Sequence, residues 1–318
     1  MPHPPVLSRR AVLLGTAAVL AGCATDPGPR PDRLRIATGP PGAVYRKVGE
    51  ALAQVLRERF PDADVRWIKT GASVDNLRLL HEGGTDLAFV SIDSAVAGLN
   101  AGVPKRTTAV ARLYDSFIQL VIMNDAPIHR LADLTGKRVS IGARGSGTEF
   151  ITQRMLGLNR DVKPNLVNMD QLASADALYS GKLDAFFTLT GVPTPAITGL
   201  LKRVPLRPLR LVELGDQVNR MNKELGKEEE VYAPATIASS AYPGIPATAT
   251  ITVANLLLVQ PTFDADVVEA ITATLFAERE RIARGHQEAN RINVRTGIAT
   301  SPVPLHPGAA RYYRAAKR

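Results

Sequence analysis

The residues best placed to do chemistry sit in a glycine-rich turn, Gly142-Ala143-Arg144-Gly145-Ser146-Gly147-Thr148, which directly follows the apolar Val139-Ser140-Ile141. A strand that runs through such a turn into a helix presents unpaired backbone N–H groups at the positive end of the helix dipole, a setting that favours an anion. The Ser146 and Thr148 hydroxyls add donors, and Gly145 and Gly147 let a ligand approach the main chain closely. A dinucleotide site wants Gly-x-Gly-x-x-Gly, and the spacing here differs. Thr135-Gly136-Lys137-Arg138 lacks the leading glycine and the hydroxyl of a phosphate-binding loop and precedes the strand. The chemistry expected of Gly145, Ser146, Gly147 and Thr148 is therefore carboxylate binding. A plain helix N-cap with flexible glycines is the simpler alternative.

Similar strand-end turns recur elsewhere. Thr38 and Gly39, with Val44 and Tyr45, follow one strand; Ser73 and Asn76 open a helix; Ser91 and Asp93 end another strand. These residues are expected to read the rest of a ligand, with Asp93 accepting from an amino group and Ser73 also capping its helix. Phe187, Gly191 and Pro193, in Phe187-Thr188-Leu189-Thr190-Gly191-Val192-Pro193, would wall the opposite side. Asp86 and Asp184 are expected to fix turns. There is no Gly-x-Ser-x-Gly elbow. His81, His129, His286 and His306 are isolated, without metal-ligand spacing. The expectation is binding without catalysis, metal or cofactor.

The elements that must hold these turns alternate strand and helix. Strands over Leu34–Thr38, Val65–Lys69 and Asp86–Val90 are separated by helices over Val44–Phe60 and from Ser73 to Leu80. The plan repeats with strands at Lys137–Ile141, Asn165–Met169 and Asp184–Phe187 and helices from Thr148 and over Ser174–Tyr179. Each third strand follows Gly-x-x-Asp, at Gly83 to Asp86 and Gly181 to Asp184. Such βαβαβ units predict parallel sheets covered by helices, with ligands outside the carboxyl ends of the strands. Between the units, Ala109–Met123 is too long for an ordinary strand, and Thr248–Val259 is a second such segment. Both are expected to cross between two lobes and form a hinge. An amphipathic helix is expected from Asp264 to about His286. The predicted fold is α/β, a two-lobed type II periplasmic-binding-protein-like arrangement with two mostly parallel sheets joined by hinge strands.

At the N-terminus, Arg9-Arg10 precedes an apolar run from Ala11 to Leu20, the form of an export signal. The run ends in Leu20-Ala21-Gly22-Cys23, a lipobox, so residues 1–22 are expected to be removed and Cys23 lipidated. Ser8 to Leu13 also fits a twin-arginine signal in part. Residues 23–33 read as a Pro-rich tether. Cys23 is the single cysteine, so no intramolecular disulfide can form. The net charge of +9 is dispersed and aromatics are only 5%, a pattern that argues against nucleic-acid binding. Positive surface beside anionic lipid, or anionic ligands, suits it better.

From about Leu34 to Tyr313 the chain resembles the TAXI-type solute receptors of tripartite ATP-independent periplasmic (TRAP) transporters. The resemblance rests on Ile36-Ala37-Thr38-Gly39 with Gly42-Ala43-Val44-Tyr45, on Gly71 to Leu77, and on Asp133 to Val139. It continues through Gly145 to Glu149, Asp184 to Phe187 with Gly191-Val192-Pro193, Tyr242-Pro243-Gly244, and Leu305 to Ala309. It implies a lobe built from 34–118 and 250–318 and a second from 119–249, closing as a monomer on a small glutamate-like carboxylate or dicarboxylate. The ligand would pass to TRAP permease subunits from a receptor held outside the cytoplasmic membrane by its lipid. A receptor serving a sensor kinase, or an exported enzyme on the same fold, are the alternatives. Pro40, Pro41, Ala43, Arg46, Ser91 and Arg144 depart from the family pattern, making the first loop stiffer and poorer in donors.

Overall fold

A computed structural model describes residues 30–100, 107–203, 208–225 and 230–317. Arg9-Arg10, the export segment, Cys23 and most of the tether lie outside the described residues.

The first half begins with β1 (Arg33–Ala37), α1 (Val44–Arg59), β2 (Asp64–Ile68), α2 (Ser73–His81), β3 (Leu87–Ser91) and α3 (Ile92–Asn100). Strand β1 lies between β2 and β3, parallel to both. Helix α1 buries Val44, Val48, Leu52, Val55 and Leu56, a stripe at three- and four-residue spacing that faces the sheet. The second half repeats the order: β5 (Arg138–Ser140), α4 (Gly147–Leu158), β6 (Asn165–Val167), α5 (Gln171–Tyr179) and β7 (Ala185–Thr190), with β5 between β6 and β7 and parallel to both. In each half the chain leaves a strand at its carboxyl end and enters a helix on the same side.

The long segments cross between the halves. Strand β4 (Thr108–Met123) pairs antiparallel with β10 (Thr248–Val259). One end of β10 pairs with β3, and the far end of β4 pairs with β7. The two mostly parallel sheets expected, joined by the crossing strands, thus form one ten-stranded ladder, β2-β1-β3-β10-β4-β7-β5-β6, with β8 (Leu209–Val212) on β4 and β9 (Tyr232–Ile237) on β10. The physical reason is that β4 pairs with β10 from Thr108 to Phe117 and with β7 from Phe117 to Ile122, so the ladder passes from one neighbour to the other without a gap. The sheet is parallel within each half and antiparallel across the junction. The register of β10 on β4 shifts between Ala254 and Leu256. There the buried Asn255 side chain donates to the Tyr114 carbonyl at 2.9 Å and to Ser116 Oγ at 2.8 Å, which satisfies groups that the irregularity displaces.

Helices α6 (Pro195–Arg203) and α7 (Val218–Leu225) complete the second half. The chain then returns to the first half in α8 (Ala265–Ala277), α9 (Arg279–Ala283), α10 (Val294–Gly297) and α11 (Pro307–Ala316). The single helix expected from Asp264 to His286 breaks at Glu278, where the backbone leaves helical geometry (ψ 15°). Asp264 caps its start through bonds from Asp266 and Val267 N–H. Among the described residues no helix is long and apolar enough to cross a membrane.

The two halves carry the same clamp. Asp86 accepts from the Arg35 backbone N–H at 2.7 Å and from its guanidinium at 2.9 and 3.0 Å. Asp184 accepts from the Arg138 N–H at 2.7 Å and from its guanidinium at 2.7 and 3.1 Å. Each Asp thereby ties the turn before a third strand to the first strand beside it, which is the turn-fixing role expected of the repeated Gly-x-x-Asp. The Asp86 side chain is 12% exposed and that of Asp184 30%. Asp86→Ala is therefore expected to lower stability by about 1–2 kcal/mol, a drop of a few degrees in the melting midpoint. Asp184→Ala should lower it less, as read by calorimetry of the two variants side by side.

Candidate functional site

A partly open cavity of about 40 Å³ lies where the strand-end turns of the two halves meet. The first half contributes Pro40, Ala43 and Tyr45 from the start of α1, Gly71, Ala72 and Ser73 from the start of α2, and Ser116 from β4. The second half contributes Gly142, Ala143, Ser146, Gly147 and Thr148 at the start of α4, Asp170 and Gln171 at the start of α5, and Leu189 and Thr190 at the end of β7. Four helices thus begin at one small space.

Part of the donor set at these helix starts is already engaged. The Ser146 side chain caps α4 by accepting from Glu149 N–H at 3.0 Å. The Gly145 N–H donates to the Glu149 carboxylate at 2.7 Å, and Thr148 Oγ1 accepts from Leu189 N–H at 3.0 Å. Asp170 caps α5 by accepting from Ala173 N–H at 2.9 Å. The first helical N–H groups, those of Ser73, Gly147, Thr148 and Gln171, take no protein acceptor. They are the orphan donors that every helix start leaves, and here they belong to residues around one cavity. Among the lining residues there is no Lys, Arg or His, and Asp170 is the one carboxylate.

The halves touch directly beside the cavity. The Gly145 carbonyl accepts from Val74 N–H at 3.1 Å and from Asp75 N–H at 3.0 Å. A main-chain oxygen of one half therefore sits on the helix start of the other, where an anion would also be stabilised. A Cβ built on Gly71 would stand 2.4 Å from the Arg144 carbonyl oxygen, so only glycine permits this approach. Ala72, next in the chain, has φ of 102°, a left-handed value that costs a non-glycine residue about 1–3 kcal/mol. At a second contact, His286 Nε2 lies 3.1 Å from the Pro193 carbonyl, and Gly191 packs against Glu288 and Val44.

Of the residues singled out from sequence, Tyr45, Ser73, Ser146, Gly147 and Thr148 line the cavity. The others hold its walls. Thr38 Oγ1 donates to the Ile68 carbonyl at 2.8 Å, and Gly39 packs on Ala43, Tyr45 and Ala72. Asn76 is fully buried and donates to the Thr38 and Phe89 carbonyls, each at 2.7 Å; it binds the loops after β1 and β3 together. The Ser91 N–H donates to Ser73 Oγ at 3.0 Å. Val44 and Phe187 belong to the hydrophobic core. Gly145, Gly191 and Pro193 make the contacts between halves described above. Tyr45 donates to Asn255 Oδ1 at 2.5 Å, and burial raises its hydroxyl pKa.

Asp93 does not line the cavity. It is fully buried, accepting from Ser94 N–H at 2.8 Å and from the Tyr232 hydroxyl at 3.2 Å. It joins α3 to β9, with Arg154 of α4 bonded to the same hydroxyl at 3.4 Å. Burial pushes its carboxyl above the usual carboxylate range, against the opposing bonds from Ser91, Ser94 and Tyr232 and the charge of Arg154.

Residues 36–316 match the NMT1-like family. The chain belongs to that family. In solved structures the fold is similar to that of the periplasmic aliphatic sulphonate binding protein of Escherichia coli, at 18% identity and a TM-score of 0.50, over 89% of this chain and 83% of that one. A putative L-cystine ABC transporter protein of Listeria monocytogenes matches at 10% identity and a TM-score of 0.52, over 83% and 98% of the two chains. A Xanthomonas citri protein solved with ATP matches at 12% identity and a TM-score of 0.51, over 90% and 95%. At these identities the likeness is one of fold, the two-lobed α/β fold of solute-binding proteins.

In this NMT1-like chain Asp170, Gln171, Ser116, Leu189 and Thr190 also line the cavity, beyond the residues expected from sequence. Asp170 carried a usable signal, an Asp before an apolar run, but the expected helix began at Ser174. The capped start at Gln171 lies three residues earlier and brings Asp170 to the cavity. Ser116 sits mid-strand in β4, where alternation alone does not reveal which residues face the junction.

Two predictions follow from the geometry. Gly71→Val should hold the halves apart, because its side chain would collide with the Arg144 carbonyl. A larger radius of gyration in small-angle X-ray scattering is expected, and an unchanged radius would show that closure tolerates the side chain. Asp93→Asn should stabilise the protein at pH 8 and have little effect near pH 4. The raised carboxyl is favoured when protonated, so its contribution is whole below the ordinary Asp range near 4 and is lost as pH rises above it. Melting midpoints of both proteins across that range test it.

Proposed function

We propose that the chain is a lipid-anchored extracytoplasmic receptor that closes on a small carboxylate and delivers it to a TRAP-type permease. The observation that carries the reading is that four unpaired helix-start N–H groups, those of Ser73, Gly147, Thr148 and Gln171, belong to residues lining one cavity between the two halves. Such donors suit an anion without a counter-charge from a side chain. The solute-binding fold of the neighbours, named for a sulphonate and for L-cystine, agrees with capture of a small solute. Lipidation at Cys23 and export rest on the lipobox, and the TRAP partner rests on the TAXI-like motifs.

A thermal-shift panel on the chain from residue 24 tests the binding. Carboxylates, their neutral amides and uncharged solutes are compared. A ligand at about 100 times its Kd adds about 2.7 kcal/mol, which moves the midpoint of a protein this size by several degrees. The expected outcome is a shift with a carboxylate and none with its amide. A shift with neutral solutes alone overturns the carboxylate reading. Uptake that survives ATP depletion and stops when an ionophore collapses the ion gradients is the expected sign of a TRAP partner.

A further inference from the structure

Beside the cavity the two halves also meet through side chains. The short helix Gln287–Arg291 belongs to the first half, where Ala289 and Ile292 join the core formed with α1 and α8. It lies against Gly191-Val192-Pro193, the turn after β7, whose Val192 joins the second-half core formed with α5 and α6. His286 bridges the two. Its Nδ1 accepts from the Glu288 N–H at 3.2 Å and so caps the short helix. The ring proton then sits on Nε2, which donates to the Pro193 carbonyl at 3.1 Å. Burial lowers the imidazole pKa and so favours this neutral ring. The Glu288 side chain is 2% exposed and pairs with Arg291 Nε at 3.0 Å. A Cβ built on Gly191 would stand 2.6 Å from Glu288 Cγ, so the two halves are in tight contact here.

The turn is braced on its own side. Thr194 Oγ1 donates to the Gly191 carbonyl at 3.2 Å, the Thr194 N–H donates to the Tyr242 hydroxyl at 2.8 Å, and Gln119 Nε2 donates to Thr194 Oγ1 at 2.9 Å. Leu189 and Thr190, just before the turn, line the cavity, whereas His286 and Glu288 do not. A pull on the turn from the first half therefore reaches the cavity wall without touching a ligand. Contacts of this kind bias the open and closed arrangements equally for every ligand. We propose that His286 and Glu288 are positioning residues that latch the halves together across the turn 191–193. The latch deepens the closing step of the receptor reading, on which it rests, and is independent of the ligand's charge.

The test is amide hydrogen exchange, followed by NMR on the chain from residue 24 without ligand. The reporters are the Val74 and Asp75 N–H groups, which donate to the Gly145 carbonyl of the other half and are released when the halves part. The Asn76 N–H, which donates to the Ala72 carbonyl within the first half, is the control. His286→Asn is the informative variant, because Asn keeps a helix cap while its amide is too short to reach the Pro193 carbonyl. Exchange at Val74 and Asp75 is expected to quicken about fivefold, the effect of losing one neutral hydrogen bond, with Asn76 unchanged. Gly191→Ala, whose methyl would press on Glu288, should act in the same direction. Unchanged exchange at Val74 and Asp75 in His286→Asn overturns the latch and leaves His286 as a cap alone. Asn76 quickening by the same factor overturns it too, since α2 itself would then have loosened. No ligand is present, so the carboxylate reading stands or falls separately in the thermal-shift panel.

Discussion

The pairing of β4 with β10 is the constraint on which the rest of the structure depends. Two antiparallel strands cross between the halves, and each is hydrogen-bonded to a parallel unit on its outer side. The chain leaves every parallel strand at its carboxyl end, and the junction turns those ends of the two units toward each other. Four helix starts then meet at the junction without any loop having to reach far. The irregularity at Asn255 is local and internally satisfied, so the crossing keeps its ladder where the chain passes between halves.

The site that results is made mainly of main chain. The hydroxyls that looked like ligand donors, those of Ser146 and Thr148, are spent on capping α4 and on holding the Leu189 N–H. Backbone donors of a helix start are fixed in direction by the helix behind them, so a site built from them requires no side-chain ordering when a ligand enters.

Much of this was legible in the sequence. The alternation of strand and helix, the two long crossing segments and the repeated Gly-x-x-Asp each have a local signature, and each has its counterpart in the fold. The two sheets expected, joined by the crossing strands, run as one continuous ladder; how tightly a crossing strand pairs is a tertiary property with no sequence period of its own. Strand-end positions stand out in the sequence as a class, yet the class divides into liners and supports. Asn76 and Thr38 spend their polar groups on neighbouring carbonyls, and Asp93 is turned toward Tyr232. Which way a polar side chain points at a strand end depends on the element packed against it, and that element lies 38 residues away for Asn76 with Thr38 and 139 for Asp93 with Tyr232.

The Gly145 carbonyl rests on the first turn of α2, where a ligand's charge would also be welcome. Contact between the halves is therefore partly rewarded by the protein's own backbone. The N–H groups of Ser73, Gly147 and Thr148, which take no protein acceptor, are left over from that contact. The main chain thus divides its helix-start donors between fastening the halves to each other and facing whatever charge comes from outside.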